Sequence, residues 1–424
     1  MLLDIKSPRS PSPQNRNISS ALAGHNFRNI TPVYFDKIMM TPEDSLLKFE
    51  IPEVIYGIGA LSQIGKCCRR LGGERILLVT DPGLIAAGWV DESTNYLNEE
   101  DLRYVVYDNV VTNPRDYQVE QGAEIYRRKN CDVIAAVGGG SPIDTAKGIG
   151  ILASNYGRIH EYEGANLVTQ PIPPLVCAPT TAGTGADVSQ FAVIANKRTK
   201  VKMTILSRAI TPDITLVDPR LLKTKPAELI AATGMDTLTH AIEAFVSSLA
   251  WPMTDPHAIH AIELVNEHLV NAAKTKDMRA LEGMSIACLE AGMAFSNAIL
   301  GAVHALAHPL GGLYDIHHGL ANSLLLPVVI HRNLEHVPAK FAKIARALGA
   351  ETRSRSLEDV AGEVPHQIQQ LIAQLDLPTR LSQVGVDETD IPRLAQMAEA
   401  DICMLTNPHC YMKSEIESMY QEVM

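Results

Sequence analysis

The sequence predicts an α/β N-terminal domain with a largely parallel sheet, joined to an all-helical C-terminal domain. Two observations predict it. Short apolar runs alternate with stretches of helical spacing: Arg75-Ile-Leu-Leu-Val-Thr80, Leu102-Arg-Tyr-Val-Val-Tyr107, Val133-Ile-Ala-Ala-Val137 and Leu175-Val-Cys-Ala178. Strands and crossover helices alternate in this way in parallel sheets. Beyond Asp218-Pro219 the pattern changes, and nearly everything to the C-terminus has helical periodicity over helical lengths.

Taken in order, residues 1–47 read as a flexible N-terminal extension. Pro11, Pro13 and several serines interrupt any periodicity, and Lys6, Arg9, Arg16 and Arg28 face one acid, Asp4. That basic, serine-rich composition is similar to an organelle transit peptide, although the prolines weaken the amphipathic helix such a peptide needs. A start at Met39-Met40 is the other reading. The α/β domain is expected over 48–221. Residues 51–59 form a strand and turn, a short helix runs through Leu71, and the buried strand from Arg75 ends in the turn Asp81-Pro82-Gly83. The second strand closes near Asn113-Pro114, and a helix covers about 116–129. The third runs into Gly138-Gly139-Gly140-Ser141-Pro142, with a helix from Ile143, and the fourth leads into Pro179-Thr-Thr-Ala-Gly-Thr-Gly185. Over 222–424, helices are expected at 227–249, 255–273, 277–299, 338–348 and 357–375. A further helix carries His304 and His308, and Pro309 and Gly311-Gly312 are expected to loosen or end it.

Composition narrows the classes of function. The chain has 424 residues, 46% hydrophobic and 20% charged, the balance of an ordinary globular protein. A net charge of -11 without a strongly basic run argues against nucleic acid as the main partner. No apolar run approaches the roughly 20 residues of a membrane helix, so no membrane partner is expected. Seven scattered cysteines without a C-x-x-C pair point to a reducing compartment, and the cytoplasm is the expected location.

The turn Gly138–Asp144 joins a strand to a helix. Its glycines permit close backbone approach, Ser141 suits the N-cap and Pro142 the first helical position. A helix N-terminus so formed offers free N–H groups to a diphosphate. Thr180, Thr181 and Thr184 form a second loop of hydroxyls and glycines after a strand, suited to phosphate, ribose or an amide. Asp81 at a strand end can accept both hydroxyls of an adenosine ribose and repel a 2′-phosphate, favouring NAD over NADP. It equally suits a plain Asp-Pro-Gly turn. Neither loop is the G-x-G-x-x-G fingerprint of an ordinary Rossmann domain.

Two dyads in the second half suit a metal. Asp236 and His240 are four apart, as are His304 and His308, so each pair shares a helix face. His318 follows beside Gly319, and spacing alone does not separate it from His317. His257 and His260 read as surface positions on a helix. Three neutral imidazoles and one carboxylate leave a divalent ion net positive, with room for a substrate oxygen. Such N/O ligands suit zinc, ferrous iron or nickel alike.

Four motifs in order carry a resemblance: Gly138-Gly-Gly-Ser-Pro-Ile-Asp-Thr-Ala-Lys147, Pro179–Gly185, Gly234-Met-Asp-Thr-Leu-Thr-His-Ala-Ile-Glu-Ala244 and His304-x-x-x-His308-Pro-Leu-Gly…His318-Gly. Over about 48–424 the chain resembles the iron-containing (group III) alcohol dehydrogenases, with their dehydroquinate synthase-like fold. The resemblance implies a dinucleotide-binding domain, a helical metal-binding catalytic domain and a homodimer or larger assembly. By motif, Asp236, His240, His304 and His318 match the metal ligands, with Fe2+ preferred over Zn2+, and His308 matches a histidine near the nicotinamide, the candidate catalytic residue. Asp81, Asn113, Gly139, Gly140, Ser141, Thr180, Thr181, Thr184 and Lys202 match cofactor contacts. The implied activity is hydride transfer between a small alcohol held at the metal and the nicotinamide of NAD, or the reverse reduction of an aldehyde. A zinc-dependent glycerol-type polyol dehydrogenase, a dehydroquinate-synthase-like lyase and a non-catalytic sensor of nucleotide and metal are the rival readings. Ala186-Asp187 stands where the family often has Ser-Glu, so the loop edge beside the substrate is expected to differ.

Overall fold

The computed structural model describes residues 47–198 and 202–424. The expectations for residues 1–46 lie outside the described residues. The strands are β1 (Glu53–Tyr56), β2 (Arg75–Val79), β3 (Arg103–Tyr107), β4 (Val133–Gly138), β5 (Gly164–Ala165), β6 (Leu175–Pro179), β7 (Phe191–Ala195), β8 (Lys202–Leu206) and β9 (Ile214–Val217). Six of them form one sheet in the order β1-β9-β6-β4-β2-β3, and every pair in it is parallel. Strands β2 and β4 are apolar along nearly their whole length because helices cover both faces. The helices of this half are α1 (Ile64–Arg70), α2 (Pro82–Ala86), α3 (Trp89–Glu99), α4 (Asp116–Arg128) and α5 (Gly140–Ser154).

A second, three-stranded sheet, β5-β8-β7, was not foreseen, and neither was β9. Residues 191–195 and 214–217 are short apolar runs, and periodicity does not separate such runs from buried helix. The helix after the glycine turn also begins earlier than expected. Gly139 is the N-cap of α5, so Ser141 does not cap it. Pro142 sits within the first turn, where backbone N–H groups lack helical partners anyway.

From Ala227 the chain is helical: α6 (Ala227–Val246), α7 (Asp255–Thr275), α8 (Met278–Ala298), α9 (Ala302–Tyr314), α10 (His318–Asn333), α11 (Pro338–Ala347), α12 (Leu357–Ala361), α13 (Val364–Gln374), α14 (Ile391–Glu399) and α15 (Lys413–Glu422). The helix expected over 357–375 is two, broken at Gly362-Glu363 so that Pro365 falls in a first turn. Of the two expected effects, loosening or ending, Pro309 and the two glycines do not end α9, which runs on to Tyr314. The buried Tyr420 hydroxyl donates to the Leu306 carbonyl at 2.6 Å, tying the turn that the proline weakens. Among the described residues no single helix is long and apolar enough to cross a membrane; α8 and α9 pass only together, bent by 103°, and both lie in the helical core.

Two close approaches position the functional residues. Gly138 pairs with Pro179 across β4 and β6, so the two glycine-rich loops leave adjacent strand ends side by side. A Cβ on Gly140 would stand 2.7 Å from Thr184 Cγ2, so the loops fit only with glycine there. Gly319 lets α10 start against α6, where a Cβ would meet the Ala232 carbonyl oxygen at 2.1 Å. Gly319→Ala should therefore lower stability by about 1–3 kcal/mol, the usual range for overpacking. The measure is the urea midpoint at constant m-value, and an unchanged midpoint would mean that α10 retreats from α6 freely.

Candidate active site

The residues selected from the sequence come from distant segments, and all but Thr180 line one cavity of about 620 Å³ between the sheet's C-terminal strand ends and the helices. Thr180 is fully buried and its hydroxyl has no partner. Its N–H pairs with the Gly138 carbonyl at 3.0 Å, which continues the strand by one residue. Side chains alternate there, so Thr181 reaches the cavity and Thr180 points away.

On the helical side, Asp236 and His240 lie one turn apart on α6, His304 lies in the first turn of α9, and His318 begins α10. Their candidate ligand atoms all fall within 4.8 Å of one another. Asp236 Oδ1 is 4.0 Å from Nε2 of His240 and of His304, and 3.9 Å from Nε2 of His318. The opposite ring nitrogens of His240 and His304 are occupied, whereas Nδ1 of His318 is buried without a partner. His240 Nδ1 meets the Gly183 carbonyl at 3.1 Å, and His304 Nδ1 meets Glu243 Oε2 at 2.6 Å. The Gly183 carbonyl can only accept, and the Glu243 carboxyl already accepts from the Gly301 and Val303 N–H groups, so each Nδ1 is assigned the hydrogen and each Nε2 turns a lone pair toward Asp236. Burial pushes His304 and His318 well below the usual imidazole range, which keeps them neutral. Neutral imidazoles and a carboxylate are the protonation states that a divalent cation requires, so this donor set fits a metal.

His308 sits one turn beyond His304 and bonds Asp401 Oδ2 through Nδ1 at 2.7 Å. Asp401 Oδ1 in turn accepts from the Cys403 N–H at 2.8 Å. Burial opposes the Asp401 charge, but His308 and the Cys403 N–H outweigh it and hold the carboxyl below its ordinary value. His308 Nε2 is thereby the nitrogen left for the cavity. His317 also lines the cavity. His257 stacks on Phe49 and His260 bonds Glu290, both elsewhere.

Gly139, Gly140, Ser141, Thr181 and Thr184 form the opposite wall. Asp81 Oδ1 accepts from the Leu84 N–H at 3.1 Å as the N-cap of α2, so the turn reading of Asp81 holds, and its carboxylate also lines the cavity. Asn113 has a left-handed backbone, φ 54°, and its amide donates to Asp315 Oδ1 at 2.6 Å. Arg115 reaches the same carboxylate at 3.3 Å, so the loop after β3 is fastened to the end of α9. Lys202 lies against Gly311, where a Cβ would stand 2.5 Å from its Nζ. Burial pulls the Lys202 ammonium down to about 8 despite nearby Asp236, Asp315 and Asp144. Ala186 lines the cavity, while Asp187 is buried and accepts from the Thr215 hydroxyl at 2.7 Å.

Comparison with known proteins bears directly on this site. The family model for iron-containing alcohol dehydrogenase matches residues 52–219, and that for the C-terminal part of the Fe-containing alcohol dehydrogenase family matches 230–424. The chain belongs to the iron-containing alcohol dehydrogenase family. It is 45% identical to the 1,3-propanediol dehydrogenase of Citrobacter freundii, over 89% of this chain and 98% of that one. It is 38% identical to the NAD-dependent methanol dehydrogenase of Bacillus methanolicus, over 88% and 98%. A crystal structure of 1,3-propanediol oxidoreductase superposes with a TM-score of 0.88 at 43% identity, covering 90% of this chain and all of that one. The chain is accordingly an alcohol dehydrogenase of the iron-containing family, one of whose members is the NAD-dependent enzyme just named.

Three side chains at the site escaped the sequence reading. Glu243 shares the α6 face of Asp236 and His240, three residues past His240, and that helical spacing was a usable signal. Asn322 follows His318 by four residues on α10, an equally readable spacing. Asp401 gave no signal, since it lies 93 residues from His308.

Lys202 yields a pH prediction. With its folded value lowered to about 8, the ammonium is present below that pH and lost above it. If Lys202 contacts the cofactor, as the resemblance implies, NADH affinity falls as pH rises through about 8. Lys202→Met should bind roughly tenfold more weakly at pH 7, one charge-assisted hydrogen bond, and show no such fall. A buried ammonium opposes folding, so removing it should also raise stability at neutral pH. Fluorescence titration of NADH from pH 6.5 to 9 is the test, and identical pH profiles for both proteins would exclude Lys202 from cofactor binding.

Proposed function

We propose that this cavity interconverts a small primary alcohol or diol and its aldehyde, with Asp236, His240, His304 and His318 holding the metal. The observation that carries this reading is the convergence of those four donors on the wall facing the glycine and threonine loops. A bound divalent cation supplies Lewis acidity that stabilises negative charge on the substrate oxygen, and NAD supplies the hydride acceptor.

The protein's own groups do the rest. The free N–H groups at the start of α5, reached over Gly139 and Gly140, bind the diphosphate. Thr181 and Thr184 add hydroxyl donors, and Asn113 and Lys202 close the nicotinamide end. Asp81 keeps one carboxylate oxygen for the adenosine ribose and disfavours a 2′-phosphate. His308 exchanges a proton with the substrate oxygen or a water at Nε2, and Asp401 holds its ring and tautomer. Phe191, Phe295 and Leu300 line the cavity and exclude water. Phe295 stacks on His240, with ring centroids 4.4 Å apart. These aromatic walls suit a short substrate, as do the names of the relatives.

A cytoplasmic location is supported by the seven free cysteines, which a reducing compartment preserves. A homodimer or larger assembly is supported by edge strand β1 and the exposed Tyr56 and Ile58 beside it.

His240→Ala should lose its metal and about a thousandfold in kcat/KM for NAD-linked alcohol oxidation, since several kcal/mol of charge stabilisation go with the metal. Metal content and NADH absorbance read both; full activity in a metal-free variant would sink the mechanism. The choice of cofactor tests Asp81 separately. Wild type should prefer NAD, and Asp81→Gly should raise the NADP-to-NAD ratio of kcat/KM by roughly tenfold, the worth of about 1.4 kcal/mol. A wild type that prefers NADP would show that Asp81 does not select the ribose.

A further inference from the structure

Beside the four proposed ligands stands a fifth polar side chain with no assigned role. Asn322 lies one turn beyond His318 on α10 and is completely buried. Its Nδ2 donates to Asp236 Oδ1 at 2.6 Å. The same nitrogen lies 3.2 Å from His304 Nε2 and 3.5 Å from His318 Nε2. One amide thus touches three of the four groups that would hold the metal, on the atoms that would face it.

The other end of this amide is as informative. Asn322 Oδ1 is buried and has no hydrogen-bond partner. An asparagine kept only to satisfy buried backbone would use both ends, because buried polar atoms are almost always paired. Here the N–H end is used fully and the carbonyl is left bare. Reversing the amide would set oxygen against oxygen at Asp236, so the N–H end faces the ligands.

We propose that Asn322 is a positioning residue of the metal centre, holding Asp236 Oδ1 in the one orientation that brings it within reach of all three imidazoles. The inference rests on the assignment of Asp236, His240, His304 and His318 as ligands. A carboxylate can turn about its last bond and offer one oxygen or both. The N–H of Asn322 fastens Oδ1, the atom 3.9–4.0 Å from each Nε2, and so favours a single-oxygen ligand. It does this without adding charge: a second carboxylate at 322 would cancel the net positive charge that the cation needs as a Lewis acid. Hydrogen-bonding partners of this kind commonly set metal affinity even though they do not touch the ion.

The test uses the full chain stripped of metal and titrated with Co2+, whose visible absorption reports coordination number and geometry. Wild type, Asn322→Leu, which fills the same space without an N–H, and Asn322→Ala are compared by competition against a chelator. NADH binding monitors the fold independently of the metal. Both variants should bind Co2+ about 10–100-fold more weakly. Their absorption bands should change as Asp236 is freed to rotate, with NADH affinity unchanged. If both hold Co2+ as tightly as wild type with the same bands, Asn322 does not position Asp236 and the inference falls while the ligand assignment stands. If wild type itself takes up no Co2+, the ligand assignment fails and takes the inference with it. Should Asn322→Leu fail to bind NADH, the alanine variant alone decides.

Discussion

The carboxylate of Glu243 is buried among apolar helices, and there it accepts three hydrogen bonds. The N–H groups of Gly301 and Val303 reach it at 3.0 and 2.6 Å, and His304 Nδ1 at 2.6 Å. Burial pushes its pKa up to about 7, against the pull of those N–H groups. A carboxylate so placed is tolerable only while its partners stay in position. Two of the partners are the otherwise unsatisfied donors at the start of α9, and the third is the first histidine of that helix. One side chain on α6 therefore sets where α9 begins and how His304 turns. The bend before α9 is tight enough to hold Ile299 at φ 64°, and Asn407 adds a further acceptor for the Ala302 N–H at 3.1 Å. Asp236 and His240 lie on the same helix as Glu243, so three of the four groups proposed to hold the metal are fixed by one helix and its buried anchor.

The fourth group and the cofactor wall join this frame through backbone. His318 depends on Gly319, which lets α10 touch α6. His240 depends on the Gly183 carbonyl, which belongs to the threonine loop of the parallel sheet. Through that hydrogen bond the loop proposed to face the nucleotide also orients one of the proposed metal ligands. A displacement of the loop would remove that support from the His240 ring. Asn113 and Arg115, gripping Asp315 from the other side, make the same connection at the rim.

Much of this was legible in the residues. Periodicity separated the sheet half from the helical half because buried parallel strands and long amphipathic helices leave different patterns. The i,i+4 dyads placed Asp236 with His240, and His304 with His308, because a helix turns every 3.6 residues. What stayed hidden depends on contacts between segments far apart in sequence. Asp401 reaches His308 only through tertiary packing. The β7–β8 sheet hid because its strands are too short for a period to show. Pro309 left two outcomes open, a loosened helix or its end, and only packing decides between them: the helix continues, with Tyr420 from the last helix bonded to its Leu306 carbonyl. Thr180 misled: a motif names neighbouring hydroxyls together, and strand alternation sends only one of them to the cavity.

The contact of Lys202 with Gly311 carries a consequence for substitution at either position. Neither residue is adjacent to the other in sequence, yet the lysine tip occupies the volume that any side chain at 311 would claim. Enlarging residue 311 would push the flexible lysine tip aside, and shortening residue 202 would free the volume beside the glycine, so the two positions are sterically coupled.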